Sequence, residues 1–154
     1  MNKFKVDTIG LKEAVAYHKL EPSFARRTLT TSLIETFSTI TKHSIAISFI
    51  SIQFFLWFIA GLFVVKIGSY FTLSQREKIW SQILFFTSFS ILCCFFNTNY
   101  TYDEPLQYVA LYSSLLFHLQ KKKLYFILTF WLACVCRESS YLFAIVFIID
   151  ACRN

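Results

Sequence analysis

At 154 residues, with 56% apolar residues including 19 Phe and only 16% charged, the chain carries more large apolar side chains than a soluble domain of its size can bury. That excludes an ordinary soluble globular fold and points to an integral membrane protein. The net charge of +6 does not point to nucleic acid, because the basic residues flank apolar runs, where they act as topology signals and lipid-headgroup contacts.

Residues 1–42 are polar to amphipathic and hold no apolar core of the length a signal peptide needs. Ile9, Leu11, Val15, Tyr17 and Leu20 give a partial apolar face, which Glu21, Pro22 and Ser23 interrupt. Leu29, Leu33, Phe37 and Ile40 then recur at spacings of four, four and three, a single helical stripe. With Lys12, Lys19, Arg26 and Arg27 beside these stripes, two readings stand: amphipathic helices lying in a membrane interface, or solvated helical arms packed on the rest of the protein. Glu35 lies off the stripe and is expected in solvent.

Residues 43–154 read as a transmembrane domain. Residues 44–65 are 22 uncharged positions, a first span. A loop over 66–78 carries Lys66, Arg76, Lys78 and one acid, Glu77; residues 79–96 form a second span. After a polar loop come apolar residues 106–119, the basic turn Lys121, Lys122 and Lys123, and an apolar run over 124–149. That last run has 26 residues, too many for one upright helix, and fits a tilted helix or two pieces meeting near residues 137–140. The predicted fold is therefore an all-α polytopic transmembrane bundle of about four spans, preceded by amphipathic interfacial helices.

Orientation follows from the loops. Those at 66–78 and 120–123 carry three basic residues each, whereas 97–105 has none and two acids, so the first two face the cytoplasm and the third faces outward. Alternation then puts residues 1–42 outside despite their seven Lys or Arg, a conflict in which the short loops take precedence. The five cysteines, an odd number, argue against a disulfide framework, and Cys93, Cys94, Cys134 and Cys136 sit in apolar runs as small hydrophobes. Cys134 and Cys136 are two apart and point to different faces of a helix, so no metal site is indicated.

The chemistry-bearing residues lie at one end of the hairpin formed by the last two runs. Asp103 stands 18 residues before Lys121, or about 27 Å along a helix, and Arg137 stands 14 past Lys123, about 21 Å back. Asp103, Glu104, Arg137 and Glu138 are thus expected near one face, with Arg137 inside the membrane. A charge there costs about 2.5–3.5 kcal/mol and is normally paired or turned to a water-filled cavity. Asp103 and Glu104, before Pro105, suit the first turn of a helix, or serve as catalytic or divalent-cation-binding carboxylates at a cavity mouth. Arg137 and Glu138 are adjacent and cannot pair within one helix, so Arg137 needs Asp103, Glu104 or a lipid phosphate, whether to fix helix packing or to bind substrate. Tyr102 is a belt aromatic or a sugar-stacking platform. Arg26 and Arg27 suit an anionic headgroup. His18, His43 and His118 share no spacing, and Asn99-Tyr100-Thr101 matches a glycosylation sequon by pattern alone.

The run Pro22-Ser23-Phe24-Ala25-Arg26-Arg27-Thr28-Leu29, the loop Tyr102-Asp103-Glu104-Pro105-Leu106 and the broken run Cys136-Arg137-Glu138-Ser139, in that order around apolar spans, resemble polytopic membrane glycosyltransferases of the GT-C type that act on bacterial envelope polysaccharides. The resemblance covers roughly residues 20–149. It implies a polyprenyl-phosphate-linked sugar donor, transfer at the outer face of the bacterial inner membrane, Asp103 and Glu104 on the second acidic motif, and Arg137 meeting the donor phosphate. Glu138, Tyr102, Arg26 and Arg27 would complete the substrate site. The family's first acid, its usual catalytic base, follows a first span, and Asp7 is the one candidate although no span precedes it. Such proteins have eight or more spans, so the chain would be a fragment, a split subunit with a partner membrane subunit, or a relative without catalysis. The other reading is a non-catalytic subunit of an assembly or transport complex, its charges locking helix packing.

Overall fold

In the computed structural model, residues 8–20, 28–88 and 104–153 are described, and they are all-helical. The elements are α1 (Thr8–Leu20), α2 (Thr28–Thr41), α3 (Ile45–Tyr70), α4 (Gln75–Phe86), α5 (Glu104–Leu119), α6 (Lys123–Cys136), a 3-10 turn (Glu138–Tyr141) and α7 (Leu142–Arg153).

Helix α3 is the spine. The Ser44 hydroxyl caps its start by accepting from the Ile47 N–H. Its 26 residues extend about 39 Å, and it is the one described helix long and apolar enough to cross a membrane. The helix continues five residues past the expected end of the first span. Lys66 is therefore helical, and the loop expected over 66–78 shrinks to a turn at 71–74. Nothing between Lys66 and Tyr70 breaks a helix; the chain turns at Thr72, which takes a left-handed φ of 56°. The Leu73 N–H returns to the Gly68 carbonyl, closing the helix end.

A capping box starts α4. The Ser74 hydroxyl accepts from the Glu77 N–H while the Glu77 carboxylate accepts from the Ser74 N–H at 2.8 Å. The Ser74 side chain and backbone bonds hold the Glu77 carboxyl below its usual range. The helix expected over 79–96 closes at Phe86, where Thr87 turns its hydroxyl onto the Ile83 carbonyl.

Side-chain pairings fix the directions of the rest. Leu56 packs with Leu106, Trp57 lies 5.7 Å from Tyr108, and the Tyr70 hydroxyl bonds the Leu119 carbonyl, so α5 runs parallel to α3. Helix α6 returns beside α5 through the turn at Lys121, Ala133 packing against Ala110 and Leu111. The last run is broken, as one of the two sequence alternatives had it, and α7 then folds back along α6. Phe147 stands 4.9 Å from Phe126 and 5.4 Å from Phe130, contacts that a helix continuing past the break could not reach. The turn at 71–74, which Arg76 and Lys78 follow, and the basic turn at 120–122 consequently share one end of the bundle.

At the opposite end α1 and α2 lie on the first turns of α3, burying Leu11, Ala14, Val15 and Ile34 against Ala46 and Phe49. The predicted α2 stripe is only partly the packed one. Thr30, Thr31 and Ile34 are buried, whereas Leu33 faces outward and Ile40 is 74% exposed. Small threonines let two helices approach closely, and hydropathy does not register that. Glu35 is not simply solvated: it pairs with Lys19 of α1 at 2.5 Å.

Helices α4, α5, α6 and α7 have 12, 16, 14 and 12 residues, each short of the ~20 that an upright crossing needs. The bundle nonetheless turns large apolar side chains outward on α3, α4, α6 and α7, including Phe55, Phe58, Leu84, Leu128 and Ile148, with Trp131 66% exposed.

Candidate functional site

A cluster of polar side chains, among them the buried Gln107 and Ser140, forms where α6 breaks. Arg137 leaves the helix with extended backbone, φ −161° and ψ 134°, its N–H still reaching the Ala133 carbonyl. Ser139 and Ser140 follow, a residue type that competes with helical hydrogen bonding. The buried Ser140 hydroxyl donates to the same Ala133 carbonyl at 2.8 Å, one of the acceptors a helix end leaves open. Pro105 stands in the first turn of α5, where its missing N–H would have had no partner.

Two side chains on one face of α5, three positions apart, meet this break. Glu104 accepts a hydrogen bond from the Arg137 guanidinium Nη1, forming an ion pair whose side chains are 12% and 25% exposed respectively. Gln107, buried one turn further on, donates from Nε2 to the Ser139 hydroxyl at 2.9 Å and to that of Ser140 at 2.8 Å. Leu56, Leu106 and Cys136 pack beneath the cluster, and Leu29 at the start of α2 packs against them. Gln53, buried on α3 one turn before Leu56, adds a polar group toward the same end.

The structure thus brings Glu104 and Arg137 together, as the hairpin arithmetic predicts, and among the described residues Glu104 is an ion-pair partner of Arg137. Glu138 is exposed at the start of the 3-10 turn. Asp7, Arg26, Arg27, Tyr102 and Asp103 lie outside the described residues, although Asp103 directly precedes Glu104 and Arg27 directly precedes α2. His118 lies away from the cluster, its ring 5.2 Å from those of Phe126 and Phe147. Among the described residues no three His, Cys, Asp or Glu side chains gather in a way that could hold a metal ion.

Gln107 and the two serines are functional-site residues that sequence reasoning missed. A signal existed: Gln107 is a polar residue in an apolar run, one helical turn from Glu104 on the same face.

Chemically, the arrangement sets a guanidinium in a mostly apolar surround with the Glu104 carboxylate, among the described residues, orienting it. A fork held that way suits recognition of a phosphate group. No family model, no curated protein and no solved structure matches this chain.

Proposed function

We propose that the chain is all or part of a GT-C-type membrane glycosyltransferase of the bacterial inner membrane, using a polyprenyl-phosphate-linked sugar in envelope glycan synthesis. The observation that carries this reading is the Arg137 guanidinium, held by Glu104 at a helix break inside apolar helices. An intramembrane arginine is costly unless it serves a site or a structural pair. The outward-facing apolar side chains of α3, α4, α6 and α7 support the membrane setting. The bundle then has about four embedded segments: α3, the run that begins with α4, α5, and the folded-back pair α6 and α7. Helices α1 and α2 sit at the interface, where the exposed Leu33 and Ile40 meet lipid.

In the reaction, the acceptor hydroxyl oxygen attacks the anomeric carbon on the face opposite the donor phosphate. The bond from that carbon to the phosphate oxygen breaks with its electron pair going to the phosphate, and the hydroxyl proton passes to a carboxylate. Arg137 stabilises the departing phosphate. Glu104, already engaged by Arg137, acts as a positioning residue, which leaves Asp103 or Asp7 as the general base.

A second reading is a non-catalytic membrane subunit of an assembly or transport complex. It is favoured by the way the cluster closes on itself, Glu104 on Arg137 and Gln107 on both serines. Complementation of surface glycan by Arg137→Lys and Asp103→Asn, with membrane abundance measured in parallel, separates the two. The enzyme reading expects normal abundance with glycan output lowered by about 10²-fold or more. Full output from both variants at normal abundance sinks it and leaves the subunit.

A further inference from the structure

A groove of about 570 Å³ runs between α3, α4 and α5 toward the basic end, lined by apolar side chains such as Val64, Leu84 and Leu115 together with Tyr108 and Tyr112. This volume falls within the range of small-molecule sites. The groove lies apart from the Glu104–Arg137 cluster. Its inner wall is rigid, because Phe85, Tyr108 and Tyr112 pack ring on ring at 5.6–6.0 Å, with Trp57 behind them. Gly68 lines it too. A Cβ there would stand 3.3 Å from Cγ of Lys78, so the stem of Lys78 lies across the glycine.

Lys78 is half-buried and one helical turn before the groove-lining Ser81, so its ammonium reaches the rim from an apolar base. Arg76, two positions earlier, lies exposed on another face of the helix. The Glu77 carboxylate, one turn before Ser81, is taken up by the Ser74 N–H and hydroxyl, and among the described residues no carboxylate pairs with Lys78. An apolar trough with an unpaired cation at its rim fits an amphiphile with a hydrocarbon chain and a negative head. A neighbouring apolar helix would fill the trough and leave the cation without a counter-charge.

We infer that this groove binds one acyl chain of an anionic phospholipid, whose phosphate rests on Lys78. The inference rests on the membrane setting proposed above and on no part of the glycosyltransferase reading.

Trp57 reports on it directly: it is 3% exposed, packs against groove residues, and becomes the sole tryptophan in a Trp80→Phe/Trp131→Phe chain. That protein is reconstituted in phosphatidylcholine vesicles doped with phosphatidylglycerol or phosphatidylcholine brominated on the acyl chain. Brominated phosphatidylglycerol is expected to quench Trp57 at the lower mole fraction, by about fivefold for the one basic residue. Lys78→Glu removes the preference, and Ser81→Phe, which fills the groove, weakens quenching by both lipids. Equal quenching by the two lipids, or none, in protein that floats with the vesicles overturns the inference and leaves the membrane setting standing. Protein that fails to float with neutral vesicles overturns both.

Discussion

The hairpin of α5 and α6 has two ends that handle charge in opposite ways. At one end Lys121, Lys122 and Lys123 are exposed around a turn held by backbone bonds, Lys121 N–H to the His118 carbonyl and Lys122 N–H to the Phe117 carbonyl. At the other end Glu104 and Arg137 are largely withdrawn from solvent and face each other. Three like charges in water cost the fold little, so they carry information about orientation and almost none about packing. Two opposite charges out of water are tolerable only as a pair, so each constrains where the other helix can be. The buried end therefore dictates the geometry.

The sharpest way to break this contrast is to remove one member of the buried pair. Arg137→Ala or Glu104→Ala is expected to destabilise the protein by about 3–5 kcal/mol, because the remaining charge, largely withdrawn from solvent, loses this counter-ion. The double variant Glu104→Leu/Arg137→Met should recover much of that loss. Thermal unfolding in a neutral detergent measures all three, and a double variant no better than the singles would mean that the pair is not coupled.

At the exposed end the expected change is smaller and opposite in sign. Lys121 sits at φ 58° and Thr72, in the turn at 71–74, at φ 56°, a conformation costing a non-glycine residue about 1–2 kcal/mol. Lys121→Gly should raise stability by up to about 1 kcal/mol, offset in part by glycine's greater freedom when unfolded. A fall on the same assay would show that the lysine side chain itself holds the turn.

The smallest effect concerns the start of α4. The Glu77 carboxyl is held low by Ser74, so its contribution is complete above the unfolded value of about 4.3 and is lost as the pH falls through the lowered folded value. Hydrogen exchange of the first turn of α4 should quicken over that acid window in the native protein, after correction for the intrinsic rate, and show no such step in Glu77→Gln.

Much of this was legible in the sequence. The helical rise alone put Glu104 and Arg137 toward the same end of the hairpin, because both are measured from the same basic turn, and a break near residues 137–140 was one of the two alternatives for the last run. The return of α7 was not legible, since hydropathy carries no sign of direction and only Phe147 against Phe126 and Phe130 reveals it. The face of α2 was half legible: an apolar stripe shows periodicity, but Thr30 and Thr31 count as polar although a helix can bury them. The end of α4 at Phe86 was hidden because Thr87 and Ser88 are too few to interrupt an apolar average.

The bond from the Tyr70 hydroxyl to the Leu119 carbonyl ties the C-terminal ends of α3 and α5. Its consequence is that the two hairpins cannot choose their sidedness separately. In the membrane setting proposed above, reversing the charge bias around one turn alone would set it against the other, and the nascent chain would have to forgo either this clasp or the preferred orientation of one hairpin.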